Sequence, residues 1–198
     1  MKKMEWIFKL FLIIMYCTML VNAQDKPRGE VVGSPKSGFR FEFLLELDDV
    51  ESKIVSLAEA IPANKYKWRP DKGVRSVSEV FMHTGDVNYL LSAAVGVKIP
   101  DGVDRNMEKA ITEKSKVIEF LKSSFEHIRK TVMKIPEGEL DKSAKLFGRE
   151  TTIRGILFNA ALHLHEHLGQ SIAYARINKI VPPWTAAEQA RQQKNSRK

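Results

Sequence analysis

The stretch TTIRGILFNAALHLHEHLGQSIAYARIN, residues 151–178, decides how the rest of the chain is read. Ile153, Ile156, Ala160, His163, His167, Ser171 and Tyr174 recur in it at steps of three and four. That period belongs to an amphipathic helix with one buried face. Two histidines four residues apart therefore share the buried side, one turn from each other and close enough to hold one metal ion. His165 is two residues from each, so the same geometry turns it away. The segment is predicted to end near Asn178, ahead of Pro182 and Pro183.

Three further segments carry the helical period. In the first, Phe43, Leu47, Val50, Ile54, Leu57 and Ile61 recur at helical steps until Pro62 stops the pattern. The second opens on Ser76 with Glu79 three residues on, the spacing of a capping box, and runs to Gly96. Its stripe is Val80, His83, Val87, Leu90, Leu91 and Ala94, which places a third histidine on a core face. The third runs from about Asp104 to Ile135, with Ala110, Val117, Leu121, Phe125, Ile128 and Val132 on one side. His127, on the side of Lys116, Ser123 and Lys130, is predicted to be exposed. A strand-like alternation at Phe39-Arg40-Phe41-Glu42-Phe43 is too brief to compete. Four helices joined by loops near 62–75, 96–104 and 136–150 specify an all-α protein, a four-helix bundle. The bundle is expected over 38–184, after an extended lead-in at 24–37 and before a polar, basic tail at 185–198.

The N-terminus reads differently. Lys2 and Lys3 precede an apolar run from Leu10 to Val21, and Val21-Asn22-Ala23 suits cleavage before Gln24. Residues 1–23 are thus expected to be a secretory signal peptide, the mature protein being periplasmic or secreted. The run is short of the roughly 20 residues that a spanning helix needs, so no stable membrane anchor is expected after cleavage. Cys17 follows bulky Met15 and Tyr16, unlike a lipoprotein cysteine, and it leaves with the leader. The mature chain then holds no disulfide, thiolate metal site or cysteine nucleophile. Loss of Lys2, Lys3, Lys9 and Glu5 takes the formal charge from +8 to +6. The surplus is spread along the chain without a recognition motif, which argues against a nucleic-acid partner.

A single histidine on an apolar stripe is ordinarily a hydrogen-bonded core residue. Three on two buried stripes would each need a separate buried partner, and a shared ion is the more economical account. Other metal patterns fail: Leu164 follows His163, so His-Glu-x-x-His is absent, as are the Glu-x-x-His pairs of di-iron bundles. No glycine-rich phosphate loop or Gly-x-Ser-x-Gly elbow occurs.

The ordered set of motifs resembles the DinB-like (YfiT-type) family of metal-binding four-helix bundles. It comprises Val-Phe-Met-His-Thr-Gly-Asp around His83 and His-Leu-His-Glu-His-Leu-Gly-Gln around His163 and His167. The closing run Tyr-Ala-Arg-Ile-Asn-Lys-Ile-Val-Pro-Pro-Trp and Lys-Tyr-Lys-Trp-Arg-Pro at 65–70 complete it, over about residues 39–184. The resemblance implies an up-down-down-up arrangement and a divalent ion, usually nickel or zinc, on His83, His163 and His167. Leu168 departs from the pattern, since many members carry arginine there. Characterised members of that family include transferases and isomerases that use low-molecular-weight thiols, some members resemble metal-dependent hydrolases, and many are dimers. The expectation is an exported metal-dependent enzyme for a small-molecule substrate, of hydrolase or thiol-transferase type, with Asp86 as the candidate catalytic carboxylate. Glu79 is expected in the capping box, and Glu166 in solvent. A non-catalytic metal-binding or stress-related protein is the alternative, and core packing without metal a third.

Overall fold

The computed structural model describes residues 35–197, Arg105 excepted. The expected signal peptide and most of the expected lead-in lie outside the described residues. Helix α1 spans Phe39–Ala60 and buries Phe43, Leu47, Val50, Ile54 and Leu57. The aromatic alternation at 39–43 belongs to the start of this helix and not to a strand. Its end at Ile61 coincides with Pro62, which has no N–H to continue the ladder. The chain then crosses the bundle end, and Tyr66 enters the core with its hydroxyl donating to the Ala58 carbonyl at 2.7 Å.

Helix α2, Val77–Ala94, opens on the predicted capping box. The Ser76 Oγ accepts from the Glu79 N–H at 3.3 Å, and the Glu79 carboxylate accepts from the Ser76 N–H at 2.6 Å. Burial pushes the Glu79 carboxyl up, but the Ser76 hydrogen bonds and the Arg69 guanidinium outweigh it and hold the group below its ordinary range. The third predicted segment is shorter than its sequence suggests. A single turn, α3 at Met107–Ala110, is followed by an extended break at Ile111, and α4 runs over Lys114–Lys134. Consecutive β-branched Ile111 and Thr112 are poor helix formers. Ala110 is exposed and does not share the α4 stripe, whose core is Val117, Leu121, Phe125, Ile128 and Val132.

Residues 143–152 are the second departure. Instead of an irregular loop they form a hairpin, β1 at Ser143–Leu146 paired antiparallel with β2 at Arg149–Thr152. Ala144 and Leu146 pack on the core while Ser143 and Lys145 face outward, a period of two. Helix α5 follows directly over Ile153–Ile177, its Thr152 cap accepting from the Gly155 N–H at 3.0 Å. Beyond Pro182 the polar stretch is helical, as α6 at Pro183–Asn195 with proline in its first turn. Alanine, glutamine, glutamate and arginine favour that helix, which packs on α1. Among the described residues no helix is long and apolar enough to cross a membrane.

In the bundle α1 and α2 are diagonal, each packing against both α4 and α5. Cross-helix contacts give the directions. Arg40 near the start of α1 bonds the Ile135 carbonyl and Glu137 beyond the end of α4, while Lys114 at the start of α4 reaches the Glu59 and Ile61 carbonyls at the end of α1. Those helices are antiparallel. Gly85 on α2 lies against Phe120 on α4, and one turn further along both helices Asn88 donates to Ser124, so α2 and α4 run parallel. His83 meets His163, whereas Arg75 just before α2 meets Tyr174 late in α5, so α2 and α5 oppose. The order α1, α2, α4, α5 is therefore up-down-down-up.

Candidate metal centre

The antiparallel face between α2 and α5 brings the three histidines together. His83 supplies one ring from α2, and His163 and His167 supply two from successive turns of α5. One ring nitrogen from each lies within 4.8 Å of the others. The Nε2 atoms of His83 and His163 are 3.2 Å apart. Two nitrogens each about 2.1 Å from a common ion, at an angle of about 100°, would have that separation. His167 is buried, and His83 and His163 are half-buried.

Outer contacts fix which nitrogens face inward. The His167 Nδ1–H donates to Gln170 Oε1 at 2.8 Å, which leaves Nε2 as the free lone pair. Gln170 is held in turn by Tyr174, to whose hydroxyl its amide donates at 3.0 Å, and the hydroxyl donates to the Arg75 carbonyl at 3.1 Å. The edge of Trp68 meets the Tyr174 ring at a centroid distance of 5.4 Å. His83 Nδ1 has two neighbours, Glu108 Oε2 at 3.3 Å and an Arg75 NH2 at 3.2 Å. They call for opposite tautomers. Binding an ion through Nε2 puts the proton on Nδ1, so Glu108 is then its acceptor, and Arg75 instead anchors Glu108 through its Nε at 2.7 Å. Short helix α3 carries Glu108 to this pair.

His163 has no such support. Its Nδ1 is buried without a hydrogen-bond partner in the structure. Burial, His167, His83 and Arg75 together push its pKa down to about 3, and burial and Arg75 lower that of His83 as well. Neutral rings at pH 7 are what a metal ligand must be. With His83 and His167 held through Nδ1, ring nitrogens of all three histidines come together, and an all-imidazole set of this kind suits a first-row transition-metal ion. The residues present fit a divalent ion.

His83 and His163 open outward onto a cleft of about 350 Å³, lined also by Arg75, Asp86, Glu108 and Phe147 among others. Asp86 thus borders the same space, three residues beyond His83 on α2. The remaining sequence expectations divide. His165 is exposed and pairs with Glu46 at 3.4 Å, and Glu166 is exposed. His127 is not exposed as predicted: its ring stacks on Tyr89 at 4.9 Å and its Nε2 is enclosed. Tyr89 covers that side of α4 because α2 runs parallel and close. Glu108 and Gln170 are the site residues that sequence reading missed. Gln170, one turn after His167, carried a usable signal in its helical spacing. Glu108 carried none, being 25 residues from its histidine.

One measurable consequence concerns Glu108. Glu108→Gln should weaken zinc affinity about 10- to 100-fold in a competition titration against a chromophoric chelator. Unchanged affinity would mean that Arg75, and not Glu108, governs His83.

The model of the DinB superfamily matches residues 46–171. Among solved structures the chain resembles a DinB-like protein from Bacillus cereus, at 13% identity and a TM-score of 0.64, covering 71% of this chain and 93% of that one. A DinB-like protein from Bacillus subtilis matches at 20% identity and a TM-score of 0.57, with the same coverages. YfiT from Bacillus subtilis, described as "a probable metal-dependent hydrolase with an unusual four-helix bundle topology", matches at 16% identity and 0.57, covering 79% and 95%. No curated protein matches the sequence.

Proposed function

The chain belongs to the DinB superfamily, and from that premise we propose that it is a metal-dependent hydrolase of a small molecule, built on His83, His163 and His167. The observation that carries this reading is the open side of the triad. Structural sites are closed by a fourth protein ligand, whereas catalytic sites keep a position for water or substrate. Here three histidines form the group, and two of them border the cleft. The description of YfiT as a probable metal-dependent hydrolase supports the same reaction class.

A divalent ion, nickel or zinc, supplies Lewis-acid chemistry at neutral pH when bound there. The protein's own residues do the rest. His83, His163 and His167 present ring nitrogens, and Glu108 and Gln170 keep two of those rings in the required tautomer. Asp86 takes the proton from the attacking water as general base. The cleft is of small-molecule size. Lys2, Lys3, the Leu10–Val21 run and Val21-Asn22-Ala23 support export, so we place the reaction outside the cytoplasm.

The test is a panel of esters, amides and phosphoesters offered to the metal-loaded full chain. For a substrate that turns over, Asp86→Asn should lower kcat about 100- to 10,000-fold with metal content unchanged. Native-like turnover in that variant would remove Asp86 from the chemistry. No turnover of any member by a fully loaded chain would favour a non-catalytic metal-binding protein.

A further inference from the structure

The two strands of the hairpin meet in a two-residue turn, Phe147-Gly148, with φ of +50° and +78°. Both values lie in the left-handed region, as the mirror-image turns of tight hairpins require. The first position of such a turn favours asparagine, aspartate or glycine, because other side chains are strained there. Phe147 occupies it against that preference. Packing does not compensate, since the residue is 71% exposed. Its ring instead lines the cleft that opens onto His83 and His163, together with Val87 and Leu90 of α2. The base of the hairpin is tied down by the Ile153 N–H to the Lys142 carbonyl at 3.1 Å and the Arg154 N–H to the Leu140 carbonyl at 2.8 Å. An unfavourable backbone and an uncovered aromatic ring thus coincide at the mouth of the candidate site, on an anchored support. Strain of this kind persists where a surface serves a ligand.

We propose that Phe147 is a specificity-determining residue, selecting small molecules that carry an aryl or similarly flat apolar group beside the polar group presented to the histidines. The inference rests on the metal-dependent reading of the triad. Val87 and Leu90 complete the apolar lining, and Arg75, Asp86 and Asn159 border the part of the cleft suited to the polar end. A ring against a ring adds attraction beyond area alone, while an alkyl group of similar reach gains only the area.

Two probes of similar reach, one aromatic and one alkyl, are benzohydroxamate and cyclohexanecarbohydroxamate, both of which ligate metal ions. The full chain is loaded with cobalt(II), and binding is followed through its visible absorption. The native chain should bind benzohydroxamate about three- to tenfold more tightly than cyclohexanecarbohydroxamate. Phe147→Ala should bring the two affinities together. Phe147→Asn should do the same and also raise Tm, since asparagine fits the turn. A ring kept for packing alone would give the opposite sign of Tm change. Equal affinities in the native chain, or a preference that survives Phe147→Ala, would overturn the assignment of Phe147 while leaving the metal reading intact. Failure of cobalt to load, or of either probe to bind the loaded chain, would overturn both.

Discussion

Replacing His163 and His167 together with alanine should abolish the chelator-sensitive part of the protein's stability. A ligand that binds only the folded state stabilises it by about 2.7 kcal/mol at 100 times its Kd and about 4.1 kcal/mol at 1,000 times. For a domain of this size that corresponds to a Tm difference of about 5 to 15 °C between metal-loaded and stripped protein. The native chain should show that difference on addition of a strong chelator. The double variant should melt at one temperature with or without it. The two alanines remove two of three ligands, and His83 alone cannot hold an ion firmly. A native-sized shift in the variant would place the metal elsewhere.

Gly85→Ala should have the next largest effect, and its sign separates packing from propensity. In an exposed helix the change stabilises by about 1 kcal/mol. Gly85, however, faces α4, where an added Cβ would lie 2.6 and 2.8 Å from two ring carbons of Phe120 and 3.2 Å from Ser124 Oγ. Phe120 is itself largely buried and packs on Tyr89 at 5.6 Å, so its ring has little room to retreat. Ser124 is bound to Asn88 at 3.2 Å and to the Leu121 carbonyl at 2.8 Å. Overpacking of this kind costs about 1–3 kcal/mol or more, so the net result should be a loss of stability despite the better helix former. Because His83 lies two residues away, pushing α2 off α4 should also spread the triad and weaken metal binding. A rise in Tm on denaturation of the variant would show that α2 and α4 are less tightly apposed than the structure has them.

The histidine faces were legible because helical spacing fixes them whatever the tertiary fold: 163 and 167 share a side, and 165 does not. The capping box at Ser76 and Glu79 was legible for the same local reason. What escaped depends on contacts distant in sequence. The pairing of Glu108 with Arg75 and His83 joins three segments, and no local pattern announces it. The buried side of α2 is made partly of Ser78, Gly85, Asn88 and Ser92, none of them hydrophobic side chains, so an apolar count passes over it. Their polar groups are satisfied both within the helix, as in the Ser92 hydroxyl donating to the Asn88 carbonyl at 2.8 Å, and across to α4, as in Asn88 donating to Ser124 at 3.2 Å. The hairpin was missed because its strands are four residues each and its turn is Phe-Gly, not the asparagine- or aspartate-glycine pair that marks such turns. That same departure is the sign of the role proposed for Phe147.

Three imidazoles should hold one divalent ion, and X-ray absorption at the metal edge of the purified full chain, with metal content measured on the same sample, would read those ligands out. About one zinc or nickel ion per chain, with about three imidazole nitrogens at roughly 2.0–2.1 Å and a lighter oxygen donor besides, is the predicted result. No ion after reloading a folded sample, or an ion whose shell lacks imidazole scattering, would contradict it.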